Sequence, residues 1–403
     1  MAGAERFDVA VVGASIAGCT AARLYARAGA RVALVERRAD PAAYKVVCTH
    51  AIQSSATPTI ERLGLAPLLD ARGAVHIRGD AWTPFGGWIR APADAPHGYG
   101  VTRRTLDPLL RELAAATPGV ELLGGLTVTG LLGDGRPAGV EAQDTSGARR
   151  RIGARLVVAA DGRGSTVARL AGVRGRVLPH HRFFYFAYWQ GVRPATSRAR
   201  LWLLDPDGGA HFPNEDGLSL LAIGAHRARL PAFRADLEGE YVRMLASLPD
   251  GPDLTDATRV SKIVGKLEMP NVMRPAARPG LAFVGDAALA ADPLFGVGCG
   301  WAFQSAEWLA DETAPALLDG GDLDAALGRY RRLFRRRLAP HHLQISDYST
   351  GRKIRRNERV LYRAGARDPV VRRAMEEVAS RRRSPLRVLD PRLTPRLILR
   401  GAP

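Results

Sequence analysis

The chain has 403 residues, enough to bury a large core and to form two or three domains. Apolar residues make up 46% of it and charged residues 24%, which is ordinary for a soluble globular protein and argues against a disordered or fibrous one. No apolar run approaches the roughly 20 residues of a membrane helix, so we expect no integral membrane segment. The N-terminus enters a strand pattern within a few residues, without a signal or transit peptide, which predicts a cytoplasmic protein.

The net charge of +18 raises the question of a nucleic-acid partner. Only four of the 58 basic residues are lysine, and this excess of arginine is typical of a GC-rich coding genome. No recognition helix, RNA-binding aromatic motif or zinc finger accompanies the charge. We therefore expect no nucleic-acid partner. Solvated surface charge is the first explanation for the basic residues, and an anionic substrate or a cofactor phosphate is the second.

Three cysteines, Cys19, Cys48 and Cys299, lie far apart in the sequence, with no C-x-x-C pair and no histidine cluster at metal-ligand spacing. This spacing argues against a structural disulfide, a dithiol redox centre and a metal site. For Cys19 and Cys299 it favours burial as small hydrophobic side chains.

The chain opens with a βαβ pattern. Residues 7–12 form a short apolar run that predicts a buried strand, followed by a helix over Ile16–Ala28 and a second strand in the sequence RVALVE. Gly13 and Gly18 occupy the first and third positions of a G-x-G-x-x-G phosphate-binding turn, whereas Ser15 replaces the second glycine. The replacement adds only a hydroxymethyl group, which can itself bond a phosphate.

An acidic residue at the end of the second strand is typical of a turn that binds an adenosine ribose, and Glu36 has this position. Taken alone, the pattern also fits a glycine-containing turn with a chance acid. The candidate cofactor-binding residues of this segment are Gly13, Ser15, Ile16, Ala17, Gly18, Glu36 and Arg37.

Further elements follow in the middle of the chain. Apolar residues at helical spacing predict a helix over Thr105–Thr117, and the sequence RLVVAADG predicts a strand that ends at Asp161-Gly162. Ser165 can cap the next helix. The segment RFFYFAYWQGV, from residue 182, has bulky residues on both faces, which fits either a two-sided core strand or a strand beside a ligand pocket.

A third buried strand, LAFVG, ends at Asp286, and a loop with Asp292-Pro293 leads through Gly296, Gly298 and Gly300 to a helix near Trp301. These three strand-end motifs, in this order, resemble flavoproteins of the p-hydroxybenzoate hydroxylase and geranylgeranyl reductase superfamily. The resemblance implies FAD as the cofactor, with Asp286 on its ribityl chain and the positive helix start near its ring. It adds the candidate cofactor-binding residues Asp161, Gly162, Asp286, Pro293, Gly296, Gly298, Cys299 and Gly300.

Two finer resemblances add candidates. Residues 45–65 resemble a segment that lies close to the flavin ring in a bacterial subset of FAD-dependent monooxygenases, which makes Cys48 and His50 catalytic candidates and Thr49 a neighbour. The alternative for His50 is a solvated loop histidine. The sequence GVTRRTLDPLL resembles the family's R-x-x-L-D helix start and makes Arg103 a candidate beside the FAD phosphates, with Arg104 or a simple surface pair as alternatives.

We predict an α/β fold with a discontinuous Rossmann-like FAD-binding domain of the GR2, or p-hydroxybenzoate hydroxylase, type. This domain comprises residues 1–75, 100–175 and 270–330. Residues 76–99 and 176–269 form a β-sheet substrate domain, and residues 331–403 form a helical C-terminal region. The fold is expected to function as a monomer or a homodimer.

The resemblance implies an FAD-dependent oxidoreductase, and we favour a monooxygenase. It would take electrons from NADH or NADPH and use molecular oxygen to hydroxylate or epoxidise an aromatic or polyketide-like small molecule in secondary metabolism. The alternative is a reductase of carbon–carbon double bonds, because Leu289 stands where many relatives carry a histidine and the loop ALAADPLFG is apolar. A non-catalytic nucleotide- or nucleic-acid-binding protein is a third reading, which the intact Asp161-Gly162 and Asp286 oppose.

Overall fold

The computed structural model describes residues 5–401. The strands of this range are β1 (Glu5–Val12), β2 (Val32–Glu36), β3 (Ala51–Ile52), β4 (Val75–Thr83), β5 (Gly87–Ile89), β6 (Gly98–Gly100), β7 (Val120–Gly124), β8 (Thr127–Leu131), β9 (Gly139–Gln143), β10 (Arg149–Ala159), β11 (Arg176–Leu178), β12 (Arg182–Gln190), β13 (Arg198–Leu203), β14 (Gly208–Pro213), β15 (Ser219–His226), β16 (Thr258–Arg259), β17 (Val264–Lys266), β18 (Asn271–Met273), β19 (Ala277–Arg278), β20 (Leu281–Phe283) and β21 (Leu289–Ala290). The α-helices are α1 (Ile16–Arg27), α2 (Thr57–Arg62), α3 (Ala66–Ala71), α4 (Arg103–Ala115), α5 (Thr166–Leu170), α6 (Leu230–Ala235), α7 (Leu237–Ala246), α8 (Gly298–Leu318), α9 (Leu323–Tyr348), α10 (Arg356–Arg367), α11 (Pro369–Ala379) and α12 (Thr394–Gly401).

The first sheet has the order β19-β20-β10-β1-β2-β7, with β9 and β8 continuing from β10 as an antiparallel pair. Strands β20, β10, β1, β2 and β7 run parallel. Their apolar runs are buried, and α1 packs against α4 and α8 beside them. Because the carboxyl ends of parallel strands meet at one edge, the segments after β1, β10 and β20 come together there.

The second sheet has the order β16-β12-β15-β14-β13-β4-β6-β3, with β5 paired to β4 and β17 paired to β12. Strand β12 is buried on both faces, as its sequence predicts. Phe183 packs with Phe233 and Tyr241, whereas Phe184 and Phe186 belong to a separate cluster on the other face. A third sheet, with the order β11-β18-β21, joins the two larger ones.

Several element limits differ from those predicted from sequence. Helix α4 begins at Arg103 rather than Thr105, because Thr102 Oγ1 accepts a hydrogen bond from the backbone N–H of Thr105 and caps the helix. Strand β3 pairs with β6 in the second sheet, although residues 51–52 fall within the segment assigned to the first domain. The predicted boundary between the FAD-binding domain and the C-terminal region, at residue 331, falls inside α9. None of the helices within residues 5–401 combines the length and apolar character needed to cross a bilayer.

A buried carboxylate connects the second sheet to α4. Glu215, in the turn after β14, is 4% exposed and accepts three hydrogen bonds. The donors are the Thr102 backbone N–H at 2.9 Å, the Thr102 hydroxyl at 2.5 Å and the Thr105 hydroxyl at 2.6 Å. Since these groups stand at a helix N-terminus, the negative charge is favourable there, and it fixes α4 against the second sheet.

We expect Glu215→Ala to lower the free energy of unfolding by about 2 kcal/mol, because the mutation leaves the buried Thr102 N–H without its acceptor. Equilibrium urea unfolding measures the change. Glu268→Ala is the matched control: its carboxylate is 79% exposed, and the expected change stays within about 0.5 kcal/mol. Equal effects of the two mutations would contradict this role for Glu215.

Candidate cofactor site

A cavity of about 530 Å³ lies at the carboxyl edge of the first sheet. Its wall comes from the ends of β1, β2, β10 and β20 and from the first turn of α8. Ligands of open α/β sheets bind at this edge. The predicted residues on the wall are Gly13, Ser15, Ile16, Ala17, Glu36, Arg37, Cys48, Thr49, Arg103, Asp161, Gly162, Asp286, Pro293, Gly296, Gly298 and Cys299.

The turn after β1 requires glycine at two positions. Gly13 has a φ of +104°, and a Cβ atom there would lie 2.7 Å from the carbonyl oxygen of Ala160. A Cβ atom on Gly18 would lie 1.7 Å from the carbonyl oxygen of Gly13. Gly18 lies behind the cavity wall and lets α1 pack closely on the turn, which is the role expected of the third glycine, and its part in cofactor binding stays a prediction.

Glu36 stabilises the same turn. Its Oε2 accepts a hydrogen bond of 2.8 Å from the Ala14 N–H, and its Oε1 accepts one of 3.1 Å from the Arg38 N–H. The carboxylate therefore holds the end of β2 against the turn after β1. It remains on the cavity wall, where ribose hydroxyls can reach it.

A buried ion pair lies between the turn and α4. Arg103, which is 3% exposed, donates from Nη2 and Nε to Asp107 Oδ1 at 2.6 and 2.9 Å. Its Nη2 also donates to Ser15 Oγ at 2.6 Å. Burial opposes the charge, but Asp107 raises the pKa of Arg103 above its ordinary value. Arg104 is exposed, so Arg103 is the arginine of the pair that faces the cavity, and the surface-pair alternative does not hold for it.

The strand end at β10 presents an acceptor with no protein partner. Asp161 Oδ2 accepts the Val167 N–H at 3.0 Å and so caps α5. Asp161 Oδ1 is buried and has no hydrogen-bond partner among residues 5–401. Such a buried oxygen is rare unless a ligand or water bonds it. Beside it, Gly162 has a φ of +83° and open space where a Cβ would stand.

Asp286, at the end of β20, faces a lysine that the motifs did not identify. Lys45 Nζ lies 3.1 Å from Asp286 Oδ2. Burial opposes ionisation, but attraction to Lys45 and Arg163 holds the pKa of Asp286 below its ordinary value. Both basic residues line the cavity. The sequence signal for Lys45 was its place at the start of residues 45–65, the segment expected near the flavin ring, but that resemblance did not single it out.

Helix α8 begins at Gly298, one turn earlier than predicted, with its N-terminus at the cavity. A Cβ on Gly298 would meet only Asp286 Oδ1, at 3.8 Å, so the wall is open there. Gly300 lies off the cavity, and a Cβ on it would make ordinary contacts. The prediction that Gly300 binds the cofactor therefore stays a prediction without support from the cavity wall.

His50 is neither solvated nor on the cavity wall. It is 2% exposed with a φ of +55°, and its Nδ1 accepts the Arg103 backbone N–H at 2.7 Å. Its ring packs edge-on against Tyr188 at 5.3 Å between centroids. Burial lowers the pKa of His50, so the ring is neutral and carries its proton on Nε2. The solvated-loop alternative therefore does not hold for His50. Its contact with the Arg103 N–H favours a positioning role at the start of α4, and the catalytic role stays a prediction.

Cys48 and Cys299 are in contact. Their Sγ atoms lie 3.6 Å apart, although 251 residues separate them in the sequence. The interaction with Cys299 holds the pKa of Cys48 well below its ordinary value, against the effect of burial and with the help of His50 and Arg103. The pKa of Cys299 is raised by the same interaction and by burial. Spacing alone was therefore an insufficient reason to expect separate, inert thiols.

These features fit a dinucleotide cofactor that extends along the strand ends. Backbone N–H groups at the turn after β1 and at the start of α8 face a cavity that also holds Lys45, Arg103 and Arg163. Phosphates suit these donors and charges, and the open acceptor Asp161 Oδ1 suits hydroxyl donors. Within residues 5–401, no group of three or more His, Cys, Asp or Glu side chains is arranged to hold a metal ion.

A family model described as FAD binding domain matches residues 6–234. This chain belongs to that family. The flavoprotein is 30% identical over 334 residues to digeranylgeranylglycerophospholipid reductase 1 of Methanopyrus kandleri, covering 81% of this chain and 85% of the relative. The superfamily predicted from the three motifs is thus confirmed, and the protein is an FAD-dependent oxidoreductase.

Solved structures share the fold of this flavoprotein. A flavoprotein/dehydrogenase from Cytophaga hutchinsonii aligns with a TM-score of 0.80 at 18% identity, covering 98% of this chain and 96% of the other. PqsL of Pseudomonas aeruginosa, described as a probable FAD-dependent monooxygenase, aligns with a TM-score of 0.68 at 21% identity, covering 86% and 98%. At these identities the likeness shows the fold, and it confirms the predicted α/β architecture.

We expect Asp286→Ala to weaken FAD binding at least about tenfold, which corresponds to about 1.4 kcal/mol. The mutation removes a half-buried carboxylate from the cavity wall and leaves Lys45 without its partner. Fluorescence titration of apoprotein with FAD measures the dissociation constant. Asp311→Ala removes a carboxylate of an exposed ion pair and should leave the constant unchanged. Unaltered binding by Asp286→Ala would remove this residue from the cofactor site.

Proposed function

We propose that this flavoprotein reduces a carbon–carbon double bond in an elongated, apolar, isoprenoid-like small molecule. Two features support the reductase over the monooxygenase favoured from sequence. The relative from Methanopyrus kandleri, aligned over most of both chains, is named a reductase of a digeranylgeranyl lipid. The observation that carries the proposal is an apolar cavity that adjoins the FAD cavity.

This second cavity has a volume of about 120 Å³, and Gly296 belongs to the wall of both cavities. Most of its wall is apolar and comes from the second sheet and the loop before α8. A wall of this kind favours a hydrocarbon chain, because it offers few polar partners and gains from burying apolar surface. Its apolar side chains are Ala51, Ile52, Ile77, Ala81, Pro96, Ala199, Leu201, Phe212, Phe295 and Ala379.

The C-terminal helices close the far side of this cavity. Glu376, Ala379 and Ser380, at the end of α11, complete its wall. Gln53 Nε2 donates to the Phe295 carbonyl at 2.7 Å and to the Ala379 carbonyl at 3.1 Å, which holds α11 to the loop before α8. The basic C-terminal region therefore helps to enclose the substrate cavity and to keep water from it.

Reduction of a double bond needs a hydride on one carbon and a proton on the other. Bound FAD, reduced by NADH or NADPH, supplies the hydride. The chain supplies the proton from the thiol pair, since Cys48 and Cys299 share a hydrogen bond in the cavity wall. The proton of the pair is on the Cys299 thiol, and Arg103 Nη1, 3.8 Å from Cys48 Sγ, stabilises the Cys48 thiolate that shares it.

A monooxygenase that hydroxylates an aromatic molecule is the second candidate. It is favoured by the aromatic side chains on the inner face of β12. Phe184 lines the FAD cavity, and Phe186 and Tyr188 follow it on the same face. Such a wall can stack against a planar substrate. In this reading molecular oxygen is a second substrate, bound FAD would supply the chemistry that activates it, and the cavity wall would limit the access of water.

The two candidates predict opposite dependence on oxygen. With dithionite-reduced holoenzyme in an anaerobic chamber, we expect a geranylgeranyl lipid to gain two hydrogen atoms. Mass spectrometry of the product measures this gain. A panel of aromatic and polyketide compounds, with and without air, is the parallel arm. Product that forms only with air and carries one added oxygen atom would contradict the reductase and establish the monooxygenase.

We expect Ala199→Leu to raise the KM for a geranylgeranyl lipid about tenfold, because Ala199 is 5% exposed and lines the apolar cavity. The rate of flavin reduction should stay unchanged, since the cofactor cavity is not altered. Ala195→Leu, at an exposed position of the same region, is the control. A KM that both substitutions leave unchanged would show that the chain of the substrate does not enter this cavity.

A further inference from the structure

The contact between Cys48 and Cys299 permits chemistry other than proton transfer. The Sγ–Sγ separation of 3.6 Å would shorten to about 2.05 Å in a disulfide, a movement of roughly 1.5 Å. Cys299 is fixed in the first turn of α8. Cys48 lies in the irregular segment before β3 and is half-buried, so this side of the pair can move.

The surroundings of the pair favour a reactive thiolate. Cys48 Sγ accepts from the His50 N–H at 3.4 Å and from Arg103 Nη1 at 3.8 Å. Lys45 adds a further positive charge. Low-pKa thiols beside cationic groups are the ones that undergo redox chemistry. Cys19 provides the contrast inside the same chain: it is 1% exposed in the core, and burial raises its pKa.

Both thiols lie on the wall of the FAD cavity. We propose that Cys48 and Cys299 form a reversible dithiol–disulfide couple that exchanges two electrons with the bound FAD. When the disulfide forms, the Cys48 thiolate and the Cys299 thiol together release two electrons and one proton. Oxidised FAD takes up both electrons and that proton. In the reverse direction, reduced FAD returns them, the S–S bond breaks, and the thiolate and thiol are restored.

The exchange requires FAD in its cavity, but it does not depend on which substrate the enzyme reduces or oxygenates. It has one consequence for the proposed reductase. The disulfide form holds no thiol proton. Both the flavin and the thiol pair must therefore be reduced before the enzyme can reduce a double bond. A holoenzyme oxidised in air would therefore accept four electrons per chain on full reduction, instead of the two that FAD alone accepts.

Anaerobic titration of air-oxidised holoenzyme with dithionite tests the exchange. Absorbance follows FAD, and alkylation under denaturing conditions followed by intact mass counts the free thiols. We expect four electron equivalents per FAD and a rise from one free thiol to three. Apoprotein whose disulfide has been formed with diamide is treated in parallel. It should keep its disulfide over the same period, because it lacks the flavin through which the electrons pass.

Three variants test whether the two electrons beyond those of FAD enter the Cys48–Cys299 disulfide. Cys48→Ser and Cys299→Ser should each take up two equivalents and show two free thiols throughout. Cys19→Ala should still take up four equivalents, with its thiol count rising from none to two. The visible spectrum of bound FAD reports folding in each variant. If a serine variant does not bind FAD, the wild-type titration and the apoprotein decide the question by themselves.

Three results would overturn the couple. One is a wild-type enzyme that takes up two equivalents and shows three free thiols before and after reduction. Another is a disulfide that persists in the holoenzyme after FAD is fully reduced. The third is apoprotein that loses its disulfide as fast as the holoenzyme, which would show that the electrons do not pass through FAD.

Discussion

The buried ion pair between Arg103 and Asp107 is the interaction on which the site depends. Asp107 accepts from Arg103 and also, through Oδ2, from the backbone N–H of Lys45 at 2.9 Å. Arg103 in turn bonds Ser15 of the first turn and, through its backbone N–H, His50. A buried charge is tolerated only when its partners are in place, because desolvation is otherwise too costly. One pair on α4 therefore fixes two segments around the FAD cavity, the turn after β1 and residues 45–50.

The FAD cavity, the Cys48–Cys299 pair and the second sheet each contribute to the proposed function. The first sheet brings its strand ends to FAD, and the second sheet places apolar side chains beside it, with Gly296 at the junction. The C-terminal helices complete the enclosure. Cys48 and Cys299 lie on the cavity wall, where Cys48 Sγ is 3.8 Å from Arg103 Nη1 of the α4 ion pair. In the proposed function the flavin would provide electrons, and the chain would control the proton, the access of water and the redox state of the thiols.

Sequence patterns predicted the features that depend on residues close to one another in the chain. The turn at Gly13, the acid at Glu36 and the strand ends at Asp161 and Asp286 are visible in sequence, because each follows a buried strand. Contacts between distant segments were not visible. Lys45 reaches Asp286 across 241 residues and Cys48 reaches Cys299 across 251. His50 is buried only because β12 and α4 enclose it, and no spacing rule contains that information.

Hydrogen–deuterium exchange of the apoprotein, with and without FAD, tests most directly whether three separated strand ends bind one cofactor. Binding should slow amide exchange together in residues 12–18, 160–167 and 285–300, since all three segments line the same cavity. The exposed helix surface around residues 329–337 should keep its exchange rates. Protection confined to one of the three segments, or spread evenly over the chain, would contradict the convergence of these strand ends on FAD.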